Sequence, residues 1–125
     1  MDSAPSNHAR CSEGKAIDDL LIINGIDVAF CVPGESFLPV IDAFYDQSDK
    51  IRLIVCRHEA AAANMAEAYG KLTGKPGICF VTRGPGATHA SIGIHTAHQA
   101  SVPLIMFVGQ IERGDMERDA FQEID

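Results

Sequence analysis

Gly77-Ile78-Cys79-Phe80-Val81-Thr82-Arg83-Gly84-Pro85-Gly86-Ala87-Thr88 is the stretch that decides the fold. A short, unbroken apolar run closed by turn residues reads as a strand buried on both faces. Arg83 to Gly86 then forms a tight turn, and Ala87 to about Ala100 follows as a long helix. Strand, glycine turn and helix in that order is one half of a parallel α/β unit.

Working outward, the same unit recurs. Towards the amino end, Ile51 to Cys56 reads as a strand, and the alanine-rich segment from about Glu59 to Leu72 as a helix ended by Gly74 and Pro76. Further back, Val28 to Val32 is a strand broken by Pro33 and Gly34. Ser36 is placed to cap the helix after it, whose apolar face is Phe37, Val40, Ile41 and Phe44, with Pro39 in the first turn. Ser12 caps a first helix carrying Ala16, Ile17, Leu20 and Leu21, and Gly25 stops it. Towards the carboxyl end, Pro103 precedes a fourth strand, Leu104 to Val108; beyond Gly109 the chain turns polar, and Ile111 to Asp125 has no clear period. The expected fold is therefore α/β: a doubly wound, mainly parallel sheet with helices on both faces. The chain stops soon after its fourth strand, so the pattern is expected to be incomplete at the carboxyl end.

At 125 residues and 46% hydrophobic, the chain has the size and core of one domain. Residues 13–125 read as that domain, and 1–12 as a loose, polar terminus. This terminus lacks the apolar centre of a signal peptide, and no apolar run nears the roughly 20 residues that span a bilayer. A cytoplasmic protein without a membrane partner is the expectation. The net charge of −7 argues against a nucleic-acid surface. Of the cysteines, Cys31, Cys56 and Cys79 fall in strand-like runs and read as buried, reduced thiols; Cys11 does not, and no CxxC pair occurs.

Ligands of open parallel sheets bind beyond the carboxyl ends of the strands. That rule selects Pro33-Gly34-Glu35-Ser36, Arg57-His58-Glu59, Thr82 to Thr88 and Gly109-Gln110. Glu59 opens a helix, where the dipole keeps a carboxylate ionised; a mere capping role and a site role both fit that position. His58 reads as a structural histidine. Gly84-Pro85-Gly86-Ala87-Thr88 sits where anions bind a helix N-terminus, but it is neither a dinucleotide fingerprint nor a P-loop. His95 and His98 share a helical face without a partner ligand at matching spacing, so no metal site is read from the sequence.

Taken together and in order, several segments resemble the N-terminal, pyrimidine-binding domain of thiamine-diphosphate enzymes. Gly25 to Ser36 resembles their first strand and turn. Arg57-His58-Glu59 with Met65-Ala66-Glu67-Ala68-Tyr69-Gly70 resembles their "RHE" helix. Gly84 to Thr88 with Gly93, Ser101 to Ile105 with Gly109-Gln110, and Ala120-Phe121-Gln122-Glu123 resemble later blocks, the last being similar to the "AFQE" of acetolactate synthases. The likeness runs from about Glu13 to Asp125.

The resemblance implies the thiamine-diphosphate-binding fold and assigns Glu59 the catalytic carboxylate. In the family that acid hydrogen-bonds N1′ of the coenzyme's aminopyrimidine and favours the imino form, which takes the proton from thiazolium C2. The implied activity is decarboxylation or carboligation of a small 2-oxo acid, as in branched-chain amino acid biosynthesis. Coenzyme-binding residues implied are Pro33, Gly34, Glu35, Ser36, Glu59, Thr82, Gly84, Pro85, Gly86 and His89, with Phe121 and Gln122 towards the substrate or an interface. Mg2+ and the diphosphate fall to a separate domain carrying a GDG segment, so Gly84 to Thr88 is expected to pack beside the pyrimidine rather than hold phosphate. A flavin (FAD) is common among such relatives, with its main domain downstream. The implied assembly is a homo-oligomer, dimer or tetramer, with coenzyme between subunits, so that this segment alone is inactive. His89 stands where many relatives have Asn, Glu35 where acetolactate synthases often have a second Gly, and His98 and Ala100 also depart. The exact substrate therefore stays open among acetolactate synthase, pyruvate oxidase, oxalyl-CoA decarboxylase and benzaldehyde lyase types. A non-catalytic assembly module of the same fold and a nucleotide-binding domain are the competing classes.

Overall fold

The computed structural model describes residues 12–124. The amino terminus expected to be loose, with Cys11, lies outside the described residues except for Ser12. The element order is α1 (Glu13–Ile23), β1 (Val28–Cys31), a 3-10 turn (Glu35–Phe37), α2 (Leu38–Asp46), β2 (Arg52–Val55), α3 (Glu59–Thr73), β3 (Gly77–Val81), α4 (Gly84–Ala100), β4 (Leu104–Val108) and a 3-10 turn (Arg113–Asp115). All strand pairs are parallel, in the order β2-β1-β3-β4.

That order fixes the layers. The chain steps from β1 outward to β2, then returns across β1 to β3 and on to β4. Right-handed crossovers in opposite directions place their helices on opposite faces. Accordingly Leu21 of α1 and Val40 and Phe44 of α2 pack with Ala29, Cys31, Ile78 and Phe80 on one face. Ala62, Ala63 and Ala66 of α3 and Ala90 of α4 pack with Val28, Phe30, Cys79 and Val81 on the other. The strand order reverses between β1 and β3, so their carboxyl ends frame the switch-point crevice where ligands bind.

Every residue of β1 and β3 is buried, as expected of central strands. The edge strands β2 and β4 are only partly covered, with Val55, Ile105 and Val108 exposed. Cys31 and Cys79 are buried free thiols, and burial pushes them up to about 11 and about 12. Cys56, expected buried, is half-buried at the end of β2, where the edge of the sheet leaves it uncovered.

Two helix starts differ from the expectation. Ser36 does not cap α2: it lies within the 3-10 turn, Phe37 takes the N-cap position without a side-chain bond, and the Ser36 hydroxyl pairs with Thr82 Oγ1 at 2.9 Å. The 3-10 turn consumes the residues that the cap would need. The other difference is at α4, which begins at Gly84 rather than Ala87. Pro85 in its first turn supplies a helical φ and lacks the N–H that would go unsatisfied there.

Asp18 has no counterpart in the pattern read from the sequence. It is fully buried in α1, and neither carboxylate oxygen has a partner among the described residues. Burial first, then Asp19, pushes its carboxyl from 3.8 up to about 7, against a smaller pull from Lys15. A folded-state value above the unfolded one means the folded chain binds the extra proton. Stability from this group is whole below about pH 4 and is lost as pH rises towards about 7. Unfolding free energy measured by urea titration is expected to fall across that window relative to Asp18→Asn, by about 1 kcal/mol or more. Parallel profiles for the two proteins would contradict this.

Candidate functional site

Glu59 is the first residue of α3, separated from the end of β2 by Cys56, Arg57 and His58. The capping duty that the sequence left open falls to its neighbour. His58 occupies the N-cap, and its Nδ1 accepts the Ala60 N–H at 3.1 Å. Glu59 is thereby released from the helix end. Its Oε2 instead meets His89 Nδ1 of α4 at 3.1 Å. The Glu59 side chain is 14% exposed and that of His89 54%. Oε1 of Glu59 has no hydrogen-bond partner among the described residues. The His58 and His89 rings stack, with centroids 4.9 Å apart. One ring nitrogen of each and a Glu59 oxygen fall within 4.8 Å of one another. His95 and His98 are exposed on α4 and lie outside this group.

The pairing depends on close helix packing. Gly93 of α4 lies so near α3 that a Cβ there would sit 2.4 Å from the Ala63 Cβ. Ala63 and Gly93 are each one turn beyond Glu59 and His89, so the two helices run alongside in matched register.

A second group lies at the switch point. Pro33, Gly34, Glu35, Thr82, Arg83, Phe121 and Gln122 line a cleft of about 250 Å³. A Cβ on Gly34 would meet the Thr82 Cβ at 2.7 Å, and one on Gly109 would strike Ser36. The ends of β1, β3 and β4 are thus drawn together with little room for side chains. Gly86 presses on the Thr82 methyl, and the Gly84 N–H donates to Gln122 O at 2.9 Å. Gly84 spends its free amide on the chain itself, and Pro85 is exposed and lacks an N–H. This turn packs the crevice together.

The sequence-derived residues therefore divide in two. Pro33, Gly34, Glu35, Thr82, Phe121 and Gln122 share the cleft, with Ser36 tied to Thr82 behind it. Glu59 and His89 form a separate pair at the start of α3. Arg83 was not singled out as a site residue. It lines the cleft, donates through Nη1 to Phe121 O at 3.2 Å, and has a buried Nε without a partner among the described residues. Its position inside a strand-to-helix turn was the available signal. A larger hollow of about 850 Å³ is formed by residues 116–124 alone and involves neither Glu59 nor the strand ends.

A doubly wound parallel sheet, a glycine-tight switch point and a shielded carboxylate at a helix start together describe a coenzyme-binding α/β domain. Residues 13–125 match the family described as thiamine pyrophosphate enzyme, N-terminal TPP binding domain. The chain is 42% identical over 112 residues to an acetolactate synthase large subunit of Pyropia yezoensis, covering 88% of this chain and 19% of that protein. It is 38% identical over 112 residues to the mitochondrial acetolactate synthase catalytic subunit of Saccharomyces cerevisiae, covering 90% of this chain and 16% of that protein. Against acetolactate synthase of Mycobacterium bovis it is 43% identical over 101 residues, covering 81% and 16%. The chain belongs to the thiamine pyrophosphate enzyme family, as its N-terminal binding domain, and is related to acetolactate synthase. It spans roughly a fifth of the length of these relatives. No helix among the described residues is long and apolar enough to cross a membrane.

Proposed function

We propose that this domain binds the aminopyrimidine of thiamine diphosphate in an enzyme that decarboxylates and joins small 2-oxo acids, as an acetolactate synthase does. The observation that carries the reading is Glu59: a carboxylate shielded to 14% exposure, relieved of helix capping by His58, with one oxygen free among the described residues. When bound, the coenzyme supplies the carbanion equivalent and the electron sink for cleaving the bond to the 2-oxo acid's carboxylate.

The chain's own residues fit the pyrimidine half. Glu59 Oε1 accepts a hydrogen bond from, or gives a proton to, a ring nitrogen placed against the start of α3. His89 holds the other oxygen and so fixes the carboxyl plane. Pro33, Gly34, Glu35 and Thr82 present a close-packed wall suited to a flat ring. At about 250 Å³ the cleft is smaller than a usual ligand pocket of roughly 300–1,000 Å³. That size suits a half-site completed by a second subunit, with the diphosphate and Mg2+ held elsewhere, so the native enzyme is a homo-oligomer. Phe121 and Gln122 line the same cleft and are assigned to the substrate side or the interface.

Purified full-length enzyme given pyruvate, thiamine diphosphate and Mg2+ is expected to form a product that yields the acetoin colour only after acidification. The colour should require the coenzyme. Pyruvate consumption without that colour would point to another member of the class, and no coenzyme-dependent consumption of any 2-oxo acid would remove the reading.

A further inference from the structure

We propose that His58, Glu59 and His89 form a binding site for a divalent cation of the zinc class. Two imidazoles and a carboxylate are the donor set that such ions take with three protein ligands and one open position. Donors around a tetrahedral zinc at about 2.0–2.2 Å lie some 3.4 Å apart. Glu59 Oε2 and His89 Nδ1 already stand at 3.1 Å. A His58 nitrogen, a His89 nitrogen and a Glu59 oxygen all lie within 4.8 Å of one another, and the His58 ring has to turn out of its stack on His89 to aim its in-plane lone pair at the ion. His58 and Glu59 are adjacent and His89 faces them from the matched turn of α4, so the three donors approach from two helices that are already packed together.

The donors discriminate among ions. Imidazole nitrogens suit zinc, nickel and copper, whereas magnesium prefers a shell of oxygen ligands and water. The site is thus distinct in chemistry from a phosphate-bound Mg2+. Binding replaces the Glu59–His89 hydrogen bond and has a further structural consequence at His58. A neutral His58 ring has a single nitrogen lone pair, and it now accepts the Ala60 N–H. Coordination through either nitrogen withdraws that cap, by using the lone pair at Nδ1 or by moving the proton onto it. The first turn of α3 loosens as the ion enters, a small penalty beside three coordinate bonds.

The site rests on donor atoms alone and stands or falls separately from the coenzyme reading. Only one corollary depends on that reading: an ion here claims the carboxylate that the pyrimidine needs, so ion and coenzyme exclude one another.

The test is calorimetric titration of the metal-free, reduced chain with Zn2+ against a background of millimolar Mg2+. One saturable site in the micromolar range is expected. Glu59→Gln and His89→Ala should each weaken it by at least about 10-fold. His58→Asn, which keeps a good N-cap while removing the imidazole, should weaken it comparably. The His95→Ala/His98→Ala double variant should bind as wild type does. Circular dichroism of each variant reports whether α3 and α4 are retained. No saturable binding, or binding that persists in folded Glu59→Gln and His89→Ala, overturns the proposal; loss of the site in the His95/His98 variant also overturns it.

Discussion

Replacing Glu59 by Gln in the full-length enzyme is expected to reduce coenzyme-dependent turnover by roughly 10²–10⁴-fold while leaving the fold intact. Gln has the same shape and keeps a hydrogen-bonding oxygen for His89 Nδ1. What it lacks is the capacity to exchange a proton. The helix itself should not notice, because its cap is His58 and not Glu59. Loss of turnover with an unchanged thermal transition is therefore the signature of a chemical role. Turnover is to be measured at saturating coenzyme, so that weakened binding does not imitate lost catalysis. A variant that retains most of its turnover would remove Glu59 from the mechanism and leave its hydrogen bond with His89 as mere helix-helix packing.

The second large effect is on stability. Gly77 opens β3, and a Cβ there would sit 1.8 Å from Ala66 O and 2.5 Å from Ala66 C. Both are backbone atoms of Ala66, itself fully buried in α3, so no flexible side chain can yield. Gly77 is also held on the other side, its N–H bonded to Pro103 O at 3.0 Å in register with β4. Gly77→Ala must lift α3 from the sheet. A cost of about 3 kcal/mol or more is expected, set against roughly 0.4–1 kcal/mol gained by stiffening the unfolded chain. Small domains hold only about 5–15 kcal/mol, so urea unfolding should show a midpoint much lower than wild type, or no folded protein. Gly114→Ala, with nothing within 4 Å of the added methyl, is the matched control and should lie within about 0.5 kcal/mol of wild type. Equal midpoints for the two variants would contradict the packing described at Gly77.

How far the sequence could be read follows from what each feature depends on. The strands and their glycine turns were legible because apolar runs and turn residues are local signals. The carboxyl-end rule then picked out Pro33, Gly34, Thr82 and Glu59 without any contact being known. Which strands lie at the edge was not legible: β2 and β4 look as apolar as their neighbours but are half-open. Ser36 misled because its hydroxyl pairs with Thr82, 46 residues away, in preference to the nearby helix. The Glu59–His89 pair was equally hidden, since it depends on the register of α3 against α4. The return of Phe121 and Gln122 to the cleft also escaped local reading. It passes through Glu117, Asp119 and Gln122 in left-handed backbone conformations that usually call for glycine.

The contact of Gly93 with Ala63 reaches beyond packing. One turn along the same seam, it acts as the gauge block that sets the gap between carboxylate and imidazole. The spacing of the Glu59 carboxylate from the His89 imidazole is thus governed in part by a residue with no side chain. Drift at that glycine would respace the pair without altering either partner, a route to divergence that a survey of the paired residues alone would overlook.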